Sequence, residues 1–176
     1  VRQQGSAIWV AGIEGKVIDY AIKMKRLKED RQMHRMLEHH QVTLKHIKDV
    51  ASTLRKFHQQ TTIIHQPFDR GVFASRFNDL QSVADFIGIA LGPSSADIIA
   101  NAVRTSDAFL KDHQGLFSKR VADGWVRDCH GDLHSRNIFL YARPILFDCI
   151  EFNDEFRQID ILDELAFFCM DLEAAR

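Results

Sequence analysis

His130-Gly131-Asp132-Leu133-His134-Ser135-Arg136-Asn137 is the stretch that decides this chain, and it runs on through Ile138-Phe139-Leu140, a turn at Ala142-Arg143-Pro144, and Ile145-Leu146-Phe147-Asp148. The apolar runs on either side of the turn predict two short paired strands. A loop that enters one strand, and an aspartate that closes the other, bring Asp132, Asn137 and Asp148 toward one place. Moving a phosphoryl group from a nucleotide needs a carboxylate that takes the acceptor's proton and oxygen ligands for Mg²⁺ beside the phosphates. A histidine-x-aspartate, an asparagine five residues after that aspartate, and a further metal-binding aspartate form the spacing this chemistry uses. On this reading Asp132 is the base, and Asn137 and Asp148 hold Mg²⁺, which favours a few carboxylate and amide oxygens completed by phosphate and water. His130 is expected to brace the loop, and His134 and Arg136 are candidate contacts to phosphate or substrate.

The remaining composition sets bounds on that reading. A chain of 176 residues, 45% hydrophobic and 27% charged, is the size and make-up of an ordinary globular domain. Three cysteines without C-x-x-C spacing argue against a disulfide framework and for a reducing compartment. No apolar run is long enough to span a bilayer, so no membrane role is expected. The opening Val1-Arg2-Gln3-Gln4 has neither an initiator Met nor a signal segment. A cytoplasmic chain cut from something longer is the expectation. Net charge is −1, yet residues 1–65 hold 12 Lys and Arg against 6 Asp and Glu, while residues 123–176 hold 5 against 12. The basic third lacks a nucleic-acid recognition motif or aromatic platform, and is read as solvated helix faces with no nucleic-acid partner. The acidic third fits a site that takes a cation.

Outside the loop, Ser6–Val10 and Val17–Met24 read as a β-hairpin across Gly12–Lys16. A short helix through Met33, Met36 and Leu37 follows, then one capped by Thr43 with Leu44, Ile47, Val50, Leu54 and Phe57 on one face. Residues 60–78 read as loop. Asn78 is expected to cap a helix through Leu80, Val83, Phe86 and Ile87. Ser94 with Asp97 resembles a capping box opening one long helix that reaches Val121. Residues 160–174 form the last helical face. The fold class is therefore α+β with helices in the majority.

H-G-D-L-H-S-R-N with F-D-C-I-E resembles the aminoglycoside phosphotransferase and choline-kinase-like family, within the protein-kinase-like fold. Val17 to Leu27, Phe57-His58, Glu151 to Arg157 and Asp171-Leu172-Glu173 resemble a bacterial aminoglycoside phosphotransferase-like branch, some members of which carry an appended P-loop domain. The resemblance implies a mainly helical C-terminal lobe over residues 28–176 and a residual N-terminal lobe over 1–27. It implies ATP or another nucleoside triphosphate as donor, Mg²⁺, and a small-molecule hydroxyl as acceptor. Met24, Lys25, Arg26 and Leu27 would then lie at the nucleotide hinge. Lys23 is not read as the phosphate-pairing lysine, because connector and helices follow it rather than a glutamate helix and further strands. The lysine-bearing part of the lobe lies outside these residues on this reading, so the chain alone is expected to be inactive.

Two other functions compete. Gly131-Asp132-Leu133-His134 imitates a metallophosphoesterase motif, but the further metal motifs such enzymes need do not occur. A kinase-like domain kept for binding is the non-catalytic alternative. A zinc site of Cys129, His130, Asp132 and His134 is a further arrangement to weigh.

Overall fold

Apolar side chains from both ends of the chain meet around one loop residue, Leu133, which is fully buried. In the computed structural model, which describes residues 1–10 and 12–175, the framework of this core is three helices and a small hairpin. Helix α1 (Met33–Glu38) supplies Met33 and Met36, α2 (Leu44–Gln60) supplies Val50 and Leu54, and α8 (Ile161–Ala174) supplies Phe168. Strands β5 (Ile138–Phe139) and β6 (Ile145–Leu146) pair antiparallel, Ile138 opposite Leu146, and bury Ile138 in the same cluster. Four-residue steps put Val50, Leu54 and His58 on one face of α2. Thr43 caps that helix, its Oγ1 accepting from the His46 amide at 3.4 Å while His46 Nδ1 accepts from the Thr43 amide at 3.2 Å. This is a capping box with histidine in the place of Glu or Gln.

The amino-terminal sheet differs from the expected hairpin. Strand β1 (Arg2–Gln4) lies in the middle, with β2 (Ala7–Trp9) on one side and β3 (Lys16–Val17) on the other. The tight connection is Gly5-Ser6, with Gly5 at φ 61°, which suits a two-residue turn that opens on glycine. β3 ends at Val17 rather than continuing to Met24. There Val1 lies against it, its carbonyl accepting from the Ile18 amide at 3.1 Å. A polar strand such as Arg2-Gln3-Gln4 carries no alternation by which a sequence reading finds it.

Four helices form a second cluster: α3 (Arg70–Asn78), α4 (Ala84–Leu91), α5 (Pro93–Asp112) and α6 (Gln114–Ala122). Their aromatic centre stacks Phe68 on Phe117 at 4.7 Å between ring centroids and sets Phe73 5.7 Å from Phe117. Three expectations are corrected here. Residues 70–78 are helix, not loop, because Asp69 caps the Gly71 and Val72 amides at 2.8 and 3.0 Å. Asn78 ends α3 instead of capping the next helix, and a 3₁₀ turn over Asp79–Val83 intervenes. The expected long helix starts at Pro93, without the Ser94–Asp97 box, and breaks at His113 into α5 and α6. Proline suits the first helical position because its missing N–H has no partner to lose there.

Strands β4 (Val126–Asp128) and β7 (Gln158–Asp160) pair antiparallel, Arg127 opposite Ile159. Residues 62–64 add to the other edge of β4, with the Ile64 amide on Val126 O and the Asp128 amide on Thr62 O, each at 2.9 Å. This ladder delivers Cys129 and His130 into the loop. A short helix, α7 (Asp154–Arg157), precedes β7.

Candidate active site

Leu133 anchors the loop from within. With its side chain in the core, the residues on either side face outward: Asp132 is partly exposed, its side chain 43% so. After Leu133 a 3₁₀ turn over Ser135–Asn137 brings the chain back, and Asn137 Nδ2 donates to Asp132 O at 3.0 Å and to Asp132 Oδ2 at 3.2 Å. Both partners are acceptors, so the amide nitrogen must face them, and the amide oxygen is left over. Oxygen is the atom a Mg²⁺ ion takes from asparagine.

Asp148 is brought in by backbone. β5–β6 register continues one step beyond the strands, the Phe147 amide donating to Asn137 O at 2.9 Å. His130 Nε2 donates to Phe147 O at 2.8 Å, and the Ile150 amide donates to His130 O at 3.0 Å. Asp148 thus sits between two residues that are both tied to the loop. Its φ is 62°, a left-handed conformation that typically costs a non-glycine residue about 1–3 kcal/mol and that concentrates at functional sites. Its carboxylate is exposed, and carboxylate and amide oxygens are the ligand types Mg²⁺ favours.

The loop is held from behind by helix α8. Glu164 is 2% exposed, and its Oε1 accepts from the amides of His130 at 2.6 Å and Gly131 at 3.0 Å. Its Oε2 pairs with Nε2 of the buried His58, at the end of α2, at 2.5 Å. Two helical turns on, Asp171 Oδ2 accepts from the Ser135 amide at 2.7 Å. Two carboxylates on one helix therefore grip the loop on both sides of Asp132. Gly131 allows the close fit: at φ 83°, a Cβ there would lie 2.8 Å from Phe156 O and 3.0 Å from Arg157 Cβ. Arg157 in turn bridges Asp128, at 2.9 Å, and Asp154. Hydrogen bonding to Asp154 and then the nearby Asp128 charge raise its pKa, keeping it a cation.

Sequence reasoning missed Glu164, Asp171 and His58 as parts of the site. No spacing signal joins them to the loop: His58 and Glu164 lie 106 residues apart, and both fall on amphipathic helices where a charged residue reads as surface. Of the candidates named from the sequence, Asp132, His134 and Asn137 meet directly, and His130 binds the carbonyl next to Asp148. Arg136 is exposed, its carbonyl accepting from Gln32 Nε2 at 2.7 Å. Met24, Lys25 and Arg26 are exposed and Leu27 half-buried, in a segment without regular structure.

The zinc arrangement does not converge. Cys129 points its thiol at Ile159 O, 3.5 Å away, and burial, with the Glu164 and Asp160 charges, raises its pKa far above the ordinary thiol range. His130 has both ring nitrogens engaged, with Phe147 O and with the Asp132 amide at 3.4 Å. His58, Cys129 and Glu164 offer donor atoms within 4.8 Å of one another, but the carboxylate is already consumed by the imidazole and two amides. That group is a hydrogen-bonded brace.

No protein-family model matches the chain, and no solved structure matches it. Among curated proteins, it is similar to uncharacterized proteins of Mycobacterium tuberculosis and Mycobacterium bovis, 34% identical over 128 residues. That match covers 70% of this chain and 25% of each relative, so the chain spans about a quarter of the length of the curated relatives it matches.

Proposed function

We propose that these residues form the base and metal-binding half of a phosphotransferase site, which moves the γ-phosphate of a nucleoside triphosphate, ATP foremost, to a hydroxyl of a small molecule. The observation that supports this reading is the orientation of Asn137, whose side-chain nitrogen is fixed on Asp132, leaving its oxygen free, and whose backbone carbonyl binds the amide of Phe147, the residue before Asp148. Asp132 accepts the proton of the acceptor hydroxyl. The freed oxygen forms a bond to the γ-phosphorus, the bond from that phosphorus to the β–γ bridging oxygen breaks, and the nucleoside diphosphate leaves with the electron pair. Asn137 and Asp148 would hold Mg²⁺, which would supply neutralisation of the phosphate charge. Glu164, Asp171 and His130 fix the loop, so little reorganisation is needed when the reactants meet. The segment Met24–Leu27 is the part of the chain assigned to the nucleotide base. The protein acts in the cytoplasm on this reading, with the remaining phosphate-gripping residues, and a P-loop domain where one is attached, supplied by the longer polypeptide.

The test is ³¹P NMR on the intact protein with Mg²⁺ATP and a panel of sugars, amino alcohols and aminocyclitols. ADP and a new phosphomonoester resonance are expected, both lost in Asp148→Asn. Phosphate release from a simple monoester without any nucleotide would instead establish a hydrolase.

A further inference from the structure

Asp132 has two carboxylate oxygens, and the loop treats them differently. Oδ2 takes the Asn137 Nδ2 donor at 3.2 Å and lies 3.3 Å from His134 Nε2. The tautomer of His134 follows from its other nitrogen, because Nδ1 accepts from the Arg136 amide at 3.2 Å. An imidazole that accepts at Nδ1 carries its proton on Nε2. That nitrogen is the one nearest Asp132, within ion-pair range of Oδ2 but without the alignment of a direct hydrogen bond. The ring is further fixed edge-on against Phe167 of α8, with centroids 6.5 Å apart, and only 23% of the side chain is exposed. An aspartate carboxyl otherwise turns through a broad, nearly two-fold torsion.

We propose that His134 is a positioning residue for Asp132, rather than a contact to the transferred phosphate. Asn137 Nδ2 holds Oδ2 by a hydrogen bond, and the Nε2–H dipole of His134 beside it favours the same carboxyl rotamer, so that Oδ1 is the oxygen presented to the acceptor hydroxyl. The chain of contacts runs from the Arg136 amide through the imidazole to the carboxylate, all within five residues, and it sets the angle of the base without neutralising it. This proposal rests on the assignment of Asp132 as base. Misalignment of a reacting group by an ångström costs on the order of 100-fold in rate, which sets the scale of the effect.

The experiment measures ADP formation by the intact protein with Mg²⁺ATP as the varied substrate, for His134→Ala, His134→Gln, Asp132→Asn and the double variant His134→Ala/Asp132→Asn. Binding of Mg²⁺ with a non-hydrolysable ATP analogue is titrated for each. His134→Ala is expected to lower kcat about 10- to 100-fold, with KM and analogue affinity changed less than about twofold. His134→Gln keeps an N–H donor and should recover most of that loss. In the Asp132→Asn background, His134→Ala should add almost nothing, as expected for two residues acting as one unit. A tenfold rise in KM or loss of analogue affinity at unchanged kcat would make His134 a phosphate contact and overturn the proposal. So would multiplicative effects in the double variant. An inactive Asp132→Asn beside a fully active His134→Ala overturns the positioning role alone, whereas undiminished turnover in Asp132→Asn removes the base assignment and this role with it.

Discussion

Gly131 carries more of the loop's geometry than its lack of a side chain suggests. Its φ of 83° and the nearness of Phe156 O leave no space for a Cβ, and the contact there is backbone, which cannot swing aside. Gly131→Ala is expected to destabilise the fold by about 1–3 kcal/mol, read as a lower urea midpoint with an unchanged slope. Asp148 occupies the same left-handed region with a side chain. The two residues use that region for different ends: Gly131, unstrained there, lets the loop approach α7, whereas Asp148 takes it at a cost two residues after β6. Leu133, between Asp132 and His134, supplies the burial that holds both in place, about 1.5–3 kcal/mol for a side chain of its kind.

Among the elements, α8 does the most to shape the site. Its apolar face was legible from the spacing of Ile161, Leu165, Phe168 and Leu172, but the meaning of its acids was not. Glu164 and Asp171, seven residues apart, look like part of an acidic excess until the loop amides are placed against them. Glu164→Ala strands a buried histidine and two buried amides at once, and a loss of about 3–5 kcal/mol is expected, checked by denaturant unfolding. Asp163 lies next to it, with its side chain reaching the surface. Its carboxyl pKa is raised, first by desolvation and then by Asp160, with Arg76 opposing and Glu164 adding to the rise. A folded-state pKa above the unfolded one means the native state binds that proton more tightly, so the contribution to stability is present below the unfolded pKa and is lost as pH rises through the folded value. Asp163→Asn should therefore raise the thermal midpoint at pH 7 and leave it unchanged near pH 3.

Across the whole molecule, what was legible in the sequence is what depends on neighbours along the chain. The helices α2 and α8, the β5–β6 hairpin and the loop itself fall where periodicity, caps and turn residues put them. The β4–β7 ladder and the central place of β1 were not legible, because three-residue strands are decided by partners far away in the chain. Helix α3 was passed over for a similar reason: Phe68 and Phe73 find Phe117 only after the chain has folded back. Within the acidic last third, Arg157 pairs with Asp128 and Asp154, and partners from earlier in the chain meet two more carboxylates, Arg120 at Asp160 and His58 at Glu164. Between α2 and α8 an apolar groove of about 570 Å³ is lined by Ile47, Leu54, Leu165 and Leu172. An apolar fluorescent dye is expected to bind there, and Ile47→Lys, at a half-exposed edge, should remove most of the enhancement.

The central claim is that Asp132 is the base of a phosphotransfer site, and Asp132→Asn in the intact protein tests it most directly. The substitution keeps the shape of the side chain and removes its ability to take a proton. Nucleotide turnover with Mg²⁺ATP should fall about 10²- to 10⁴-fold in kcat, with Mg²⁺-nucleotide affinity and the unfolding midpoint little changed. Turnover at the wild-type rate by a folded Asp132→Asn protein would contradict the account.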